Sequence, residues 1–262
     1  MKRILTFVKR NFKEMLRDPI IYIFCLGFPL GMLVLFAVIN KYTPQENNVF
    51  ELKSLLPGVI MFSFSFIMLL MSLNISKDRS TAFLKRLYTS PIKPFEFILG
   101  YALPVFIIGI FQSIICELFG FLLSLILNVE FFSFSKCILL ILTQLPILII
   151  YISLGIIFGT CLNEKSAPGL TSIFISLAGI LGGAWMPLDA LGNFEKIALA
   201  FPFYPSTYLG RIVTESYHTP IDSNITKYTF DNNALIGLIV LLIWLTSSII
   251  LSCILFKKQM KK

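Results

Sequence analysis

LLPGVIMFSFSFIMLLMSLNI, residues 55–75, runs directly into SKDRSTAFLKRLYTSPIKP, residues 76–94. The first stretch carries no charge over 21 positions, about what a helix needs to cross a hydrocarbon core of roughly 30 Å. The second is short, basic and stopped by Pro91 and Pro94, and a further apolar run follows it. This pair reads as a membrane span with a basic segment held at one face.

Six apolar runs are long enough to be spans, near 20–40, 55–75, 97–127, 137–161, 168–186 and 234–256. Hydrophobic residues make up 56% of the 262, charged ones 14%, and the mean hydropathy is +0.85, which excludes an ordinary water-soluble domain. The expected fold is an all-α integral membrane protein with six transmembrane helices. With both ends cytoplasmic, the inner segments hold 16 of the 22 Lys and Arg and the outer ones 6, the asymmetry that cytoplasmic loops show. The net charge of +8 is thus a topology signal, and nucleic acid is not an expected partner. The amphipathic stretch ahead of the first run speaks against a cleavable signal. Cys25, Cys116, Cys137, Cys161 and Cys253 sit in or beside apolar runs without C-x-x-C spacing, as packing residues do.

On a helical wheel of residues 1–18, Ile4, Leu5, Val8, Phe12, Met15 and Leu16 share one arc and the basic residues the next. This is the pattern of an interfacial helix, or of a simple basic anchor, and Asp18-Pro19 ends it. A second amphipathic segment, 78–91, sets Phe83, Leu84, Leu87 and Tyr88 against Asp78, Arg79, Lys85 and Arg86. A helix this short needs a partner surface or the membrane to hold it.

These features in this order resemble the permease subunit of a type-2 ATP-binding-cassette exporter, over nearly the whole chain. The similarity rests on the amphipathic N-terminus running into Arg17-Asp18-Pro19, the six runs, and the loop after the second, where Asp78, Arg79, Leu84, Leu87 and Pro91 match the family pattern. Ala82 and Phe83 stand where the family has Gly-Thr, and Asp78 is shorter than the usual Glu. The resemblance implies that 78–91 is a coupling helix, with Asp78, Arg79, Phe83, Leu84, Lys85, Arg86, Leu87 and Tyr88 docking on a separate ABC ATPase. It also implies two permease copies, or a permease and a paralogue, with two ATPases in the plasma membrane. ATP and Mg then belong to the partner, and this chain has no cofactor, metal or catalytic residue of its own. The export cargo would be a hydrophobic or amphiphilic drug, peptide or lipid-like compound; a lipid-linked polysaccharide is the alternative.

Spans two and five carry polar groups where lipid demands apolar ones, and the resemblance, in which these spans face the central cavity, makes Ser63, Ser65, Ser72, Asn74, Thr171, Ser172 and Ser176 candidates for the substrate pathway; close helix packing is the other reading. Gly179, Gly182 and Gly183 of the fifth span read as small-residue packing ridges. The outer segment 187–233 suggests short re-entrant helices, and the resemblance makes Phe201, Phe203 and Tyr204 an outer gate. The string nearest a phosphate loop, GTCLNEKS at 159–166, has Glu164 in place of its second glycine. An intramembrane enzyme or a secondary carrier is the competing class. The single histidine, His218, falls in the outer loop, and Glu117 is the one ionisable group well inside a span. Glu117 is a proton or substrate group, or hydrogen-bonds Gln144 at a similar depth on the next span.

Overall fold

The computed structural model describes residues 2–19, 21–42, 49–81, 94–218 and 226–259. Five of the helices among them are long and apolar enough to cross a membrane. Among the described residues the structure is all-α apart from one antiparallel pair of two-residue strands, β1 Tyr217–His218 and β2 Thr226–Lys227.

Helix α1, Lys2–Met15, docks through Phe7, Asn11 and Met15, spaced one turn apart and buried. Phe7 meets Phe97 and Tyr101 edge-on, with ring centroids 6.0 and 5.0 Å away, and Asn11 donates to the Gly100 carbonyl at 3.0 Å. A Cβ on Gly100 would lie 2.1 Å from the Phe7 ring, so this notch requires glycine. The helix is therefore rolled relative to the sequence-read arc. Leu5 and Leu16 stay exposed on a free apolar flank, because the Gly100 notch selects the Phe7 face.

The first span begins as a π-helix, Ile21–Gly27, and continues as α2, Phe28–Tyr42. Pro29 brings no N–H to the junction, and a widened turn ahead of proline is one way a helix absorbs that loss. Helix α3, Leu52–Ser80, is the axis of the bundle and buried almost all round, as a helix apolar on every side must be. It packs most extensively on α5, Phe134–Cys161, and also on α6, Ala167–Leu181, and α4, Pro94–Leu127. The α3–α5 seam closes over Gly155 and Gly159. A Cβ at Gly155 would sit 2.6 Å from Met71 Cβ, and one at Gly159 2.8 Å from Ile75 Cβ. Of the three glycines singled out by sequence, Gly179 faces the side chain of Trp185, Gly182 that of Met61, and Gly183 those of Leu188 and Tyr204.

At 15 residues α6 is only about 22 Å long, shorter than each of the five segments long enough to cross a membrane. It stops before the expected end at 186 because Gly182 caps it and Gly183 takes a left-handed φ of 61°. A 3-10 turn, Leu188–Ala190, and two short helices follow: α7, Asn193–Leu199, and α8, Phe203–Val213. The last long helix, α9, is Asn232–Gln259.

Candidate functional site

Three regions bring together the residues that the sequence marked. At the end of the bundle where α3 finishes, Asp78 and Arg79 lie in its last turn, and Thr81 is already extended. Asp78 is buried and accepts both guanidinium nitrogens of Arg10, at 3.2 and 3.3 Å, and the Tyr101 hydroxyl at 2.6 Å. Arg10 also pairs with Glu14 at 2.9 Å. Arg79 turns the other way and donates to the carbonyls of Gly159, Thr160 and Leu162 at the finish of α5. Its neighbour Ser80 donates to Glu164 at 3.0 Å. One turn of α3 is thereby fastened to α1, α4 and α5 by charge-assisted hydrogen bonds, the stronger kind. The string at 159–166 contributes its carbonyls and Glu164 to this clamp. Phe83, Leu84, Lys85, Arg86, Leu87 and Tyr88 lie outside the described residues.

The second region is a groove of about 440 Å³ between the first span, α3 and α6. Phe24, Phe28, Phe62, Phe66 and Trp185 form its walls, with Phe62 edge-on to Trp185 at 4.7 Å and Phe28 to Phe66 at 5.3 Å. Of the candidate pathway residues only Ser172 and Ser176 reach it, and each hydroxyl donates to a carbonyl of its own helix. Ser63, Ser65, Ser72 and Thr171 are buried inside the bundle and bond back to carbonyls three or four residues earlier. Asn74 does the same to Leu70 at 2.8 Å. Back-bonding satisfies a hydroxyl wherever the helix is buried, so polarity in the sequence did not distinguish groove from interior.

The third region lies at the opposite end, where α8 caps α3 and α5. Phe203 stacks on Tyr151 of α5 at 5.7 Å, and Phe201 on Trp244 of α9 at 6.4 Å. Tyr204 is fully buried against Tyr208. Burial pushes the phenols of Tyr204 and Tyr228 above their ordinary range, so both stay neutral. Arg211 locks the cap. It is fully buried, donates to Ser54 O at 3.1 Å and Gly183 O at 2.7 Å, and reaches the Tyr228 hydroxyl at 3.3 Å. It thus ties the start of α3 to the break after α6. In the sequence Arg211 is one of the six outer Lys and Arg; a lone cation inside an aromatic, apolar helix is the signal for more. Gln144 is committed to the same cap, donating to Ser206 O at 2.9 Å and accepting from its hydroxyl at 2.6 Å. The expected Glu117–Gln144 bond is therefore absent. The Glu117 Oε1 atom is buried without a partner, because the two side chains leave their helices toward different neighbours.

An all-α bundle of long apolar helices, an aromatic groove on one flank and a charged clamp at one end make a multi-pass membrane protein. The family model for ABC-2 type transporters matches residues 2–214, from α1 to just past α8, and the chain belongs to that family: it is a membrane permease component of an ABC transporter. No curated protein matches it. Permeases of this family typically lack an ATPase site and work with an ABC ATPase.

Proposed function

We propose that the chain is the permease of an exporter in the plasma membrane, crossing six times with both ends cytoplasmic. In this reading α6, extended by residues 182–186, makes the fifth crossing, and α7 and α8 are re-entrant helices of the outer segment 187–233. The 16-to-6 partition of Lys and Arg supports the even number. Residues 1–262 form one transmembrane domain, paired with a second permease copy or a paralogue. Two ABC ATPase subunits, which carry ATP and Mg, dock on the 78–91 coupling segment.

The clamp at Asp78 and Arg79 carries this proposal. A partner that moves the segment beginning at residue 82 works against a turn of α3 already bonded to α1, α4 and α5. Its motion then passes to four helices at once, as coupling through a hydrogen-bonded network requires. Closure of the ATPases would draw the two coupling segments together, narrow the groove and release the α8 cap. Walls of Phe24, Phe28, Phe62, Phe66 and Trp185 suit a hydrophobic or amphiphilic cargo. A lipid-linked polysaccharide would want free hydrogen-bonding groups, and the two hydroxyls in the groove are already engaged with their own helix.

Replacing Leu84 and Leu87 by Asp tests the docking assignment. With the chain and its ATPase in proteoliposomes, we expect ATPase affinity to fall about thirtyfold or more, as loss of an apolar hot spot does. ATP-driven transport should be lost, while gel filtration of the permease stays unchanged. Transport at the wild-type rate in the double variant overturns the assignment.

A further inference from the structure

Glu117 faces a cavity that none of the three regions uses. It lies ten residues before the end of α4, about 15 Å along the helix from Leu127. The cavity, about 540 Å³, sits between α4, the turn after it and the start of α5, and shares no lining residue with the aromatic groove. Phe121, Phe131, Phe132 and Phe134 supply four phenyl rings, with Phe121 edge-on to Phe131 at 5.7 Å and Phe131 stacked on Phe132 at 4.1 Å. Its rim residues Phe134 and Leu118 are 79% and 59% exposed, so the mouth opens on the apolar flank of the bundle, where lipid lies. Glu117 itself is only 6% exposed, and its Oε1 has no hydrogen-bond partner.

A buried carboxylate oxygen without a donor is costly, and no Lys or Arg lines the cavity to relieve it. Ionisable groups kept at membrane depth mark binding or transport sites by default. A carboxylate among phenyl rings is complementary to one chemistry: an organic cation whose charge is attracted by the acid and by the ring faces, and whose apolar body fills the rest. Among the described residues no group of three His, Cys, Asp or Glu converges, so the cavity lacks the ligand set that a metal ion needs. We propose that this cavity is a lateral binding site for apolar organic cations entering from the bilayer, with Glu117 as the counter-charge. The site is separate from the coupling segment and the groove, and it stands or falls independently of the export reading.

The test uses the full chain in lipid nanodiscs and radiolabelled tetraphenylphosphonium. Wild type should bind saturably, and Glu117→Gln should weaken binding about tenfold or more, the loss of one close counter-charge at low dielectric. Tetraphenylborate, of like shape and opposite charge, should not compete. Displacement by a single-chain alkyltrimethylammonium would extend the site to lipid-like cations; no displacement would confine it to compact aromatic ones, and either upholds the site. If Glu117→Gln does not survive gel filtration, Cys137→Trp fills the cavity with the acid intact and should abolish binding. Non-saturable uptake, affinity unchanged within about twofold in both variants, or equal competition by tetraphenylborate overturns the proposal.

Discussion

Arg211 shows how one side chain holds two elements that meet nowhere else in sequence. Its Nε bonds the Ser54 carbonyl 157 residues away and its Nη2 the Gly183 carbonyl, both buried with it. Methionine has similar bulk and no donors, so Arg211→Met leaves both carbonyls facing an apolar neighbour, at about 1–3 kcal/mol each. We expect thermal unfolding in detergent about 5–10 °C lower, with faster amide exchange over 203–213. Arg211→Lys should rescue little, since one ammonium cannot reproduce a fork that spans two carbonyls. A melting temperature equal to wild type in both variants would remove the lock. Asp78 and Arg79 are the same kind of residue at the other end. The resemblance implied docking on a partner ATPase for both, and in the structure their side chains bond inward to Arg10, Tyr101 and the end of α5.

Among elements, the α3–α5 seam is the most extensive contact. Gly155 lies over Met71 and the Met68 carbonyl, and Gly159 over Ile75 and the Ser72 carbonyl, each with no room for a methyl group. In lipid, where apolar surface by itself drives little association, such close approach supplies the packing. Gly155→Ala and Gly159→Ala should each cost about 1–3 kcal/mol, through forced displacement of α3. Gly169→Ala is the control. Its Cβ would meet open space, and removing a helical glycine should stabilise by about 0.5–1 kcal/mol. Steric-trap or thermal unfolding of the three variants checks the ranking, and equal effects at 155, 159 and 169 would refute the seam. The G-I-I-F-G spacing at 155–159 was legible all along.

At the scale of the molecule α6 sets the parity of the crossings. Six apolar runs are legible, but the fifth becomes a helix of 15 residues because Gly182 and Gly183 end it early. Even and odd numbers of crossings place the later loops on opposite sides. We expect a lone cysteine introduced as Tyr217→Cys, in a chain with its five native cysteines replaced, to react with an impermeant maleimide on intact cells. Lys258→Cys should react only after permeabilisation. The reverse pattern would mean that α6 does not cross. The N-terminal helix tells a similar story: its amphipathic character follows from local periodicity, while its roll follows from Gly100, 89 residues beyond Asn11.

What the sequence alone determined is what depends on neighbours in the chain: run lengths sufficient to cross a bilayer, basic residues gathered between particular apolar runs, helix stops at proline, and the order of motifs shared with ABC-2 permeases. Free energies of transfer from water to lipid add residue by residue, so these properties survive without coordinates. The tertiary structure decided which polar groups are engaged and which are left over. Gln144 goes to Ser206, Asp78 to Arg10 and Tyr101, Arg211 to two carbonyls, and Glu117 to an apolar cavity. Hydrogen-bond satisfaction is a property of contacts between helices far apart in sequence, and helical periodicity specifies a face without naming what that face will meet.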